Sequence, residues 1–358
     1  MELTSELHDW LLAAVDRGAS DLHLLVGYRP NLRLHGRLQE IAGRLLDDDD
    51  LRSCLLERLP AAHRSRFEAE RNLDFAFSGP VGGVPRRFRG NLFLHSGSLG
   101  CCIRVVPDRI PELGWAGFPA ELADRLAHFR NGLVLVAGVT GAGKTTTLAM
   151  LIQMLNEEGG CRILTVEDPV EYEFPRSAHS IISQREVGRD VATFADGLKY
   201  GLRQDPDVIL VGEIRDRDTA QIALSAAETG HLVFSTLHTR DAKGALSRYL
   251  DLFPQGVQGE IRSQLSMSLR AVVSQHLLPS IRPDTKRELA LEVMLNNTPI
   301  SSAIRQGRLE TIDTNIQTGR ADGMLTLDES VRRLFTTGRI ARETAEQYVT
   351  DRRVLAER

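Results

Sequence analysis

Apolar and polar positions change rhythm along this chain, and each rhythm predicts an element. Leu3, Leu7, Leu11 and Leu12 fall on one face of a helix over residues 1–16. Gly18-Ala19-Ser20-Asp21-Leu22-His23-Leu24 reads as a turn entering a strand, and Asn31–Leu38 alternates with the strand period. The four aspartates 47–50 stand directly before Leu51-Arg52-Ser53-Cys54-Leu55-Leu56. Negative charge is favourable at a helix start, and Asp50 is the expected cap. Short strands continue through 73–106, so residues 1–106 read as a small α+β domain. Pro107–Pro119 is rich in proline and glycine and reads as an interdomain linker and hinge. Beyond it, continuous apolar runs at 133–137, 162–166, 207–212 and 231–236 alternate with helical segments. That pattern predicts a parallel-rich α/β sheet in a second domain, 120–358. From about 298 only helices are expected.

The first apolar run leads into Gly138-Val-Thr-Gly141-Ala-Gly143-Lys144-Thr145, which fits the phosphate-loop pattern G-x-x-x-x-G-K-[ST] without a mismatch. Residues 145–156 follow as a helix, completing the order strand, glycine loop, helix. Gly141 and Gly143 let backbone N–H groups turn inward toward phosphate oxygens. The helix N-terminus adds partial positive charge. Lys144 supplies a full charge to the β- and γ-phosphates, and the Thr145 hydroxyl suits Mg²⁺. Gly138, Thr140, Ala142 and Thr146 complete the expected nucleotide contacts.

Asp205–Asp216 carries the next signal, with apolar residues 208–211 running toward Glu213. In open α/β sheets, ligands sit at the carboxyl ends of strands. Glu213 is thereby expected beside the phosphate loop, as a base that activates water for attack on the γ-phosphate. Glu167, Asp168 and Glu171 follow the strand ending at Val166, where carboxylates could hold Mg²⁺ waters. His231 and His238 bracket the fourth run, with His238 at its carboxyl end; their spacing matches no zinc motif.

Composition adds exclusions. The net charge of −4 over 358 residues gives no overall attraction to nucleic acid, and no basic-aromatic stripe is present. No run reaches membrane-helix length. The start lacks a basic region followed by an apolar core, so no secretory signal is read. The four cysteines, Cys54, Cys101, Cys102 and Cys161, have no C-x-x-C spacing. Adjacent Cys101-Cys102 reads as two small buried side chains in a strand, and the cysteine usage fits a reducing, cytoplasmic compartment.

Taken in order, Gly18–His23, Gly138–Thr145, Val166–Glu171, Gln184–Gly188, Val208–Asp216 and Gly230–Thr239 resemble the boxes of the PilT-type ATPases. These are the pilus-retraction branch of the type II/type IV secretion ATPase superfamily, and the likeness runs over essentially the whole chain. Ser302-Ala303-Ile304-Arg305-Gln306-Gly307 resembles the family's Ala-Ile-Arg-Asn-Leu segment, with Gln306-Gly307 in place of Asn-Leu. No cysteine follows Cys161, so the four-cysteine insertion of the extension and type II branches is absent.

The resemblance implies a RecA-like P-loop core, a PAS-like N-terminal domain and a C-terminal helical segment. It implies a homo-hexameric ring that hydrolyses ATP with Mg²⁺. Glu213 would be the general base, Glu167 would serve the metal or water together with Thr145, and His238 would lie near the γ-phosphate. Arg87, Arg89 and Arg104 become candidates for reaching nucleotide at a domain or subunit boundary. The implied work is pilin depolymerisation for twitching motility, at the cytoplasmic side of the inner membrane. Partners would be a platform protein and a paralogous pilus ATPase, with membrane contact only through proteins and no nucleic acid. The alternatives are a motor of a type IV secretion apparatus, an accessory retraction ATPase, a non-hydrolysing ring scaffold and a nucleic-acid translocase.

Overall fold

The structure, a computed structural model, describes residues 3–41, 43–107, 109–282 and 285–355. Met1 and Glu2 of the expected first helix, and Asp108 of the expected linker, lie outside the described residues. The chain divides into two units, Met1–Arg109 and Ile110–Arg358.

In the first unit, helix Ser5–Asp16 is capped by the Thr4 hydroxyl, which accepts from the Leu7 N–H, and it buries Leu7, Leu11 and Ala14. The antiparallel sheet runs Arg37–Glu40, Asn31–Leu34, Asp21–Leu25, Ser98–Val106, Val84–His95, Asn72–Val81. Along Asn72–Val81 buried and exposed positions alternate without a break, placing Leu73, Phe75, Phe77 and Val81 in the core. Phe75 lies across Gly90, where a Cβ would stand 2.3 Å from the ring, so that position needs glycine.

Three expectations are corrected here. Residues 31–38 form a hairpin rather than one strand, because His35 and Gly36 both turn through positive φ (49° and 87°). The strands over 72–106 are long, not short. The helix Asp48–Cys54 is capped by Asp47, whose carboxylate accepts from Asp50 N–H at 2.8 Å. Asp50 returns the bond by accepting from Asp47 N–H at 2.9 Å. A reciprocal capping box satisfies two N–H groups where a cap at Asp50 would satisfy one.

The second unit is the expected α/β layer. Its sheet runs Glu288–Leu295, Leu269–Leu278, Gly132–Ala137, Leu232–Leu237, Val208–Val211, Arg162–Glu167, Ile181–Glu186. All neighbours pair in parallel except the first two, which are antiparallel. Gly132–Ala137, Val208–Val211 and Leu232–Leu237 are buried at every position, as strands covered on both faces must be. From Thr298 onward the described elements are helical.

Candidate active site

Adjacent strands of the second sheet end in loops beginning at Gly138, His238, Gly212 and Asp168. Parallel strands put these loops on one edge, which brings the expected residues of this unit together. In the glycine loop, Gly141 and Gly143 take φ of 77° and 86°. At Gly138 (φ 154°) a Cβ would meet the Gln275 carbonyl oxygen at 2.8 Å and Ala142 Cβ at 2.9 Å. Lys144 opens the helix Lys144–Glu158 and is only 7 % exposed. Its ammonium donates to the carbonyls of Gly138 (2.8 Å) and Val139 (3.2 Å), so the loop is strapped over its own lysine. Burial lowers the Lys144 pKa, against the opposing charges of Glu213 and Glu171. Thr145 is half-buried. Thr146 shares a 2.9 Å hydrogen bond with the Tyr172 hydroxyl, and Thr147 accepts from Gln275 Nε2 at 2.7 Å.

Glu213 follows the strand Val208–Val211 and is 9 % exposed. Thr236 on the neighbouring strand holds it from both sides. The Thr236 hydroxyl donates to the Gly212 carbonyl (2.7 Å), and the Thr236 carbonyl accepts from Ile214 N–H (3.3 Å). Arg215 pairs with Glu213 Oε1 and reaches Asp168 at 4.0 Å. The other oxygen, Oε2, is buried and lies 3.4 Å from His238 Nε2, at ion-pair distance but without hydrogen-bond alignment. The His238 pKa is lowered by burial first and by the Lys144 charge second, while Glu213 pulls it back up.

Glu167, 4 % exposed, accepts from the Thr165 hydroxyl (2.6 Å) and from Gln184 Nε2 (3.2 Å), both at Oε1. Burial raises its pKa. His231 sits at the opposite end of its strand from His238, with Nδ1 3.0 Å from the Ala226 carbonyl, which fits a structural tie.

Arg87, Arg89 and Arg104 belong to the first unit. Arg89 lies directly opposite Arg104, and Arg87 opposite Val106, on the sheet face away from Phe88 and Ile103. On its other side Arg104 pairs with Asp21 through Nε (2.9 Å), and Asp21 is buried. That ion pair offsets the repulsion of like charges across the strands.

Two residues of this edge, Gln275 and Arg287, carry no local signal. Gln275 both supports Thr147 and closes over Gly138, yet it sits in a strand outside every motif. Arg287 donates to the Gly141 carbonyl at 3.2 Å from 146 residues away in sequence. Arg215 stands inside the Val208–Asp216 box, and its placement two residues after Glu213 was the available clue.

The family described as "Type II/IV secretion system protein" matches residues 100–356. The chain is 39% identical over 342 residues to the "Type IV pilus retractation ATPase PilT" of Pseudomonas aeruginosa, covering 96% of this chain and 97% of that one. It is 38% identical over 318 residues to a "Twitching motility protein" of Neisseria gonorrhoeae, covering 89% and 83%. Among solved structures it matches the pilus retraction motor PilT with bound ADP, at TM-score 0.84 and 39% identity over 99% of each chain. The Legionella pneumophila ATPase DotB matches at TM-score 0.84 and 25% identity, covering 97% and 95%. These likenesses agree with the parallel sheet in giving the second unit a RecA-like core. With the family matched over residues 100–356 and near-full-length relatives beside it, the chain belongs to the type II/IV secretion system protein family.

Proposed function

We propose that this chain is an ATP-hydrolysing motor that powers retraction of a type IV pilus. The observation that carries the reading is the juxtaposition at one sheet edge. A glycine loop with its buried lysine stands beside Glu213, whose Oε2 is buried and takes no hydrogen bond among the described residues. A buried carboxylate oxygen that takes no hydrogen bond is costly unless it has work to do. Extensive likeness to retraction ATPases directs that chemistry to pilus disassembly.

Lys144 and the N–H groups at the helix start hold the triphosphate. Glu213 orients a water for attack on the γ-phosphorus and takes its proton as the bond to the β–γ bridging oxygen breaks. His238 lies close enough to Glu213 to register the departing phosphate. Mg²⁺ fits these residues, since it binds through few protein ligands and keeps several waters. Thr145 would hold it, with Glu167 behind its waters, and Glu213 Oε2, which takes no hydrogen bond among the described residues, suits the same hydration shell. The ion would neutralise charge on the phosphates.

The working form is a homo-hexamer, in which Arg87, Arg89 or Arg104 reaches nucleotide at a boundary. The first domain, residues 1–106, is PAS-like, and 107–119 is the hinge on which ATP draws the domains together through unequal affinity for their two arrangements. The motor acts on an inner-membrane platform protein from the cytoplasmic side, beside a paralogous ATPase. No helix among the described residues is long and apolar enough to cross a membrane.

Two experiments test this. Glu213→Gln is expected to keep ATP binding and lose about 10²–10⁴ in turnover; normal turnover would remove Glu213 as the base. Deleting the gene should leave surface pili in place and stop twitching. Loss of all pili would assign the motor to assembly.

A further inference from the structure

His238 is half exposed, with 51% of its side chain open, so packing does little to fix its ring against Glu213. Its position is that of its backbone. The backbone just downstream is held from two neighbouring strands. His276, on Leu269–Leu278, places Nε2 2.8 Å from the Arg240 carbonyl. A carbonyl only accepts, so Nε2 carries the proton and donates. Glu292, on Glu288–Leu295, accepts the Ala242 N–H at 2.7 Å through Oε1. Between these two ties Asp241 caps the helix Ala242–Asp251, accepting from Gly244 N–H at 2.6 Å.

His276 is itself braced. Tyr348, last residue of the helix Arg342–Tyr348, meets it edge to face, with ring centroids 6.0 Å apart at 80°. The same tyrosine lies near Arg287, which donates to the Gly141 carbonyl of the glycine loop.

We infer that His276, braced by Tyr348, is a positioning residue for hydrolysis: it fixes the loop that sets His238 against Glu213. The C-terminal helices thereby become a lever on turnover. This rests on the ATPase reading above.

The test uses the full-length protein and compares ATP turnover, affinity for a fluorescent ADP analogue, and melting temperature. His276→Ala should lower kcat by about ten- to a hundredfold while leaving analogue affinity within about twofold, as expected for loss of alignment rather than of binding. His276→Gln keeps an N–H for the Arg240 carbonyl and should recover most of that loss. Tyr348→Ala should lower kcat, and Tyr348→Phe, which keeps the ring contact, should not. A merely structural role would instead lower affinity and melting temperature together with kcat and would not separate Gln from Ala. That pattern, or wild-type turnover in His276→Ala, overturns the inference while leaving the ATPase reading intact. A wild-type protein that hydrolyses no ATP overturns both, and does so before any variant is compared.

Discussion

Glu292→Gln separates charge from hydrogen bonding at one position. Burial pushes the Glu292 carboxyl up to about 7 from its ordinary 4.5. The Ala242 N–H pulls the other way, while Asp241, Asp313 and Asp328 add to the rise; Asp313 is partly answered by Lys243 at 3.4 Å. Because the folded pKa is raised, the folded chain holds a proton between pH 4.5 and 7 that the unfolded chain has released. The contribution to stability is whole below 4.5 and is lost as pH climbs through 7. At about 1.4 kcal/mol per pH unit, the ceiling on that loss is about 3 kcal/mol. Glutamine keeps an oxygen for the Ala242 N–H and cannot ionise. The variant should therefore match wild type near pH 4 and exceed it near pH 8 by about 1–3 kcal/mol. Each 1 kcal/mol moves the melting temperature by about 2–4 °C in a unit of this size. Thermal scans of both proteins across that range, at matched protein concentration, give the readout. A gap that is the same at both ends, or a wild type that is the more stable at high pH, would refute the reasoning.

Lys144→Ala removes the charge meant for the phosphates and leaves the Gly138 carbonyl without its ammonium donor, while the Val139 carbonyl keeps the Ala142 N–H at 3.1 Å; nucleotide affinity by fluorescence titration and turnover should both collapse. Gly138→Ala forces a Cβ to 2.8 Å from the Gln275 carbonyl at a φ of 154°, so nucleotide binding should be lost even in preparations that remain folded by circular dichroism. Burial and the Lys144 charge lower the His238 pKa from 6.5 in the nucleotide-free chain, which favours the neutral ring. In ATPase assays at about pH 7 His238→Gln, a neutral donor, should retain more turnover than His238→Lys, and the reverse order would make the histidine a cation in the reaction.

What the sequence made legible in the fold follows from how locally each element is determined. Gly132–Ala137, Val208–Val211 and Leu232–Leu237 are buried on both faces and appear as unbroken apolar runs. Ile181–Glu186 lies at the sheet edge, paired on one side, and mixes Ile181 and Ile182 with Ser183, Gln184 and Arg185. Its identity as a strand is set by the neighbour Arg162–Glu167, not by its own pattern. Leu269–Leu278 is interrupted by Ser274, Gln275 and His276, which breaks the apolar run that would have announced a strand. The hairpin at His35-Gly36 needed recognition of paired positive φ, where alternation alone suggested continuity.

The same division governs the site. Groups expected to touch the triphosphate must lie on short turns at strand ends, so the backbone demands of those turns wrote them into compact motifs: glycines at 138, 141 and 143, then Lys144, and Glu213 directly past Val208–Val211. The residues that hold these groups in place come from distant sequence, because the sheet itself brings them close. Gln275 reaches Thr147 across 128 positions, and Arg287 reaches Gly141 across 146. The polar trio that concealed Leu269–Leu278 as a strand includes two of these supports, Gln275 under the glycine loop and His276 under the loop after His238. A central strand carrying buried polar side chains departs from the apolar norm of parallel sheets, and such departures are tolerated where function requires them. The strand hardest to recognise is therefore the one whose polar residues reach the site's loops, and its closing residues couple those loops to the C-terminal helices.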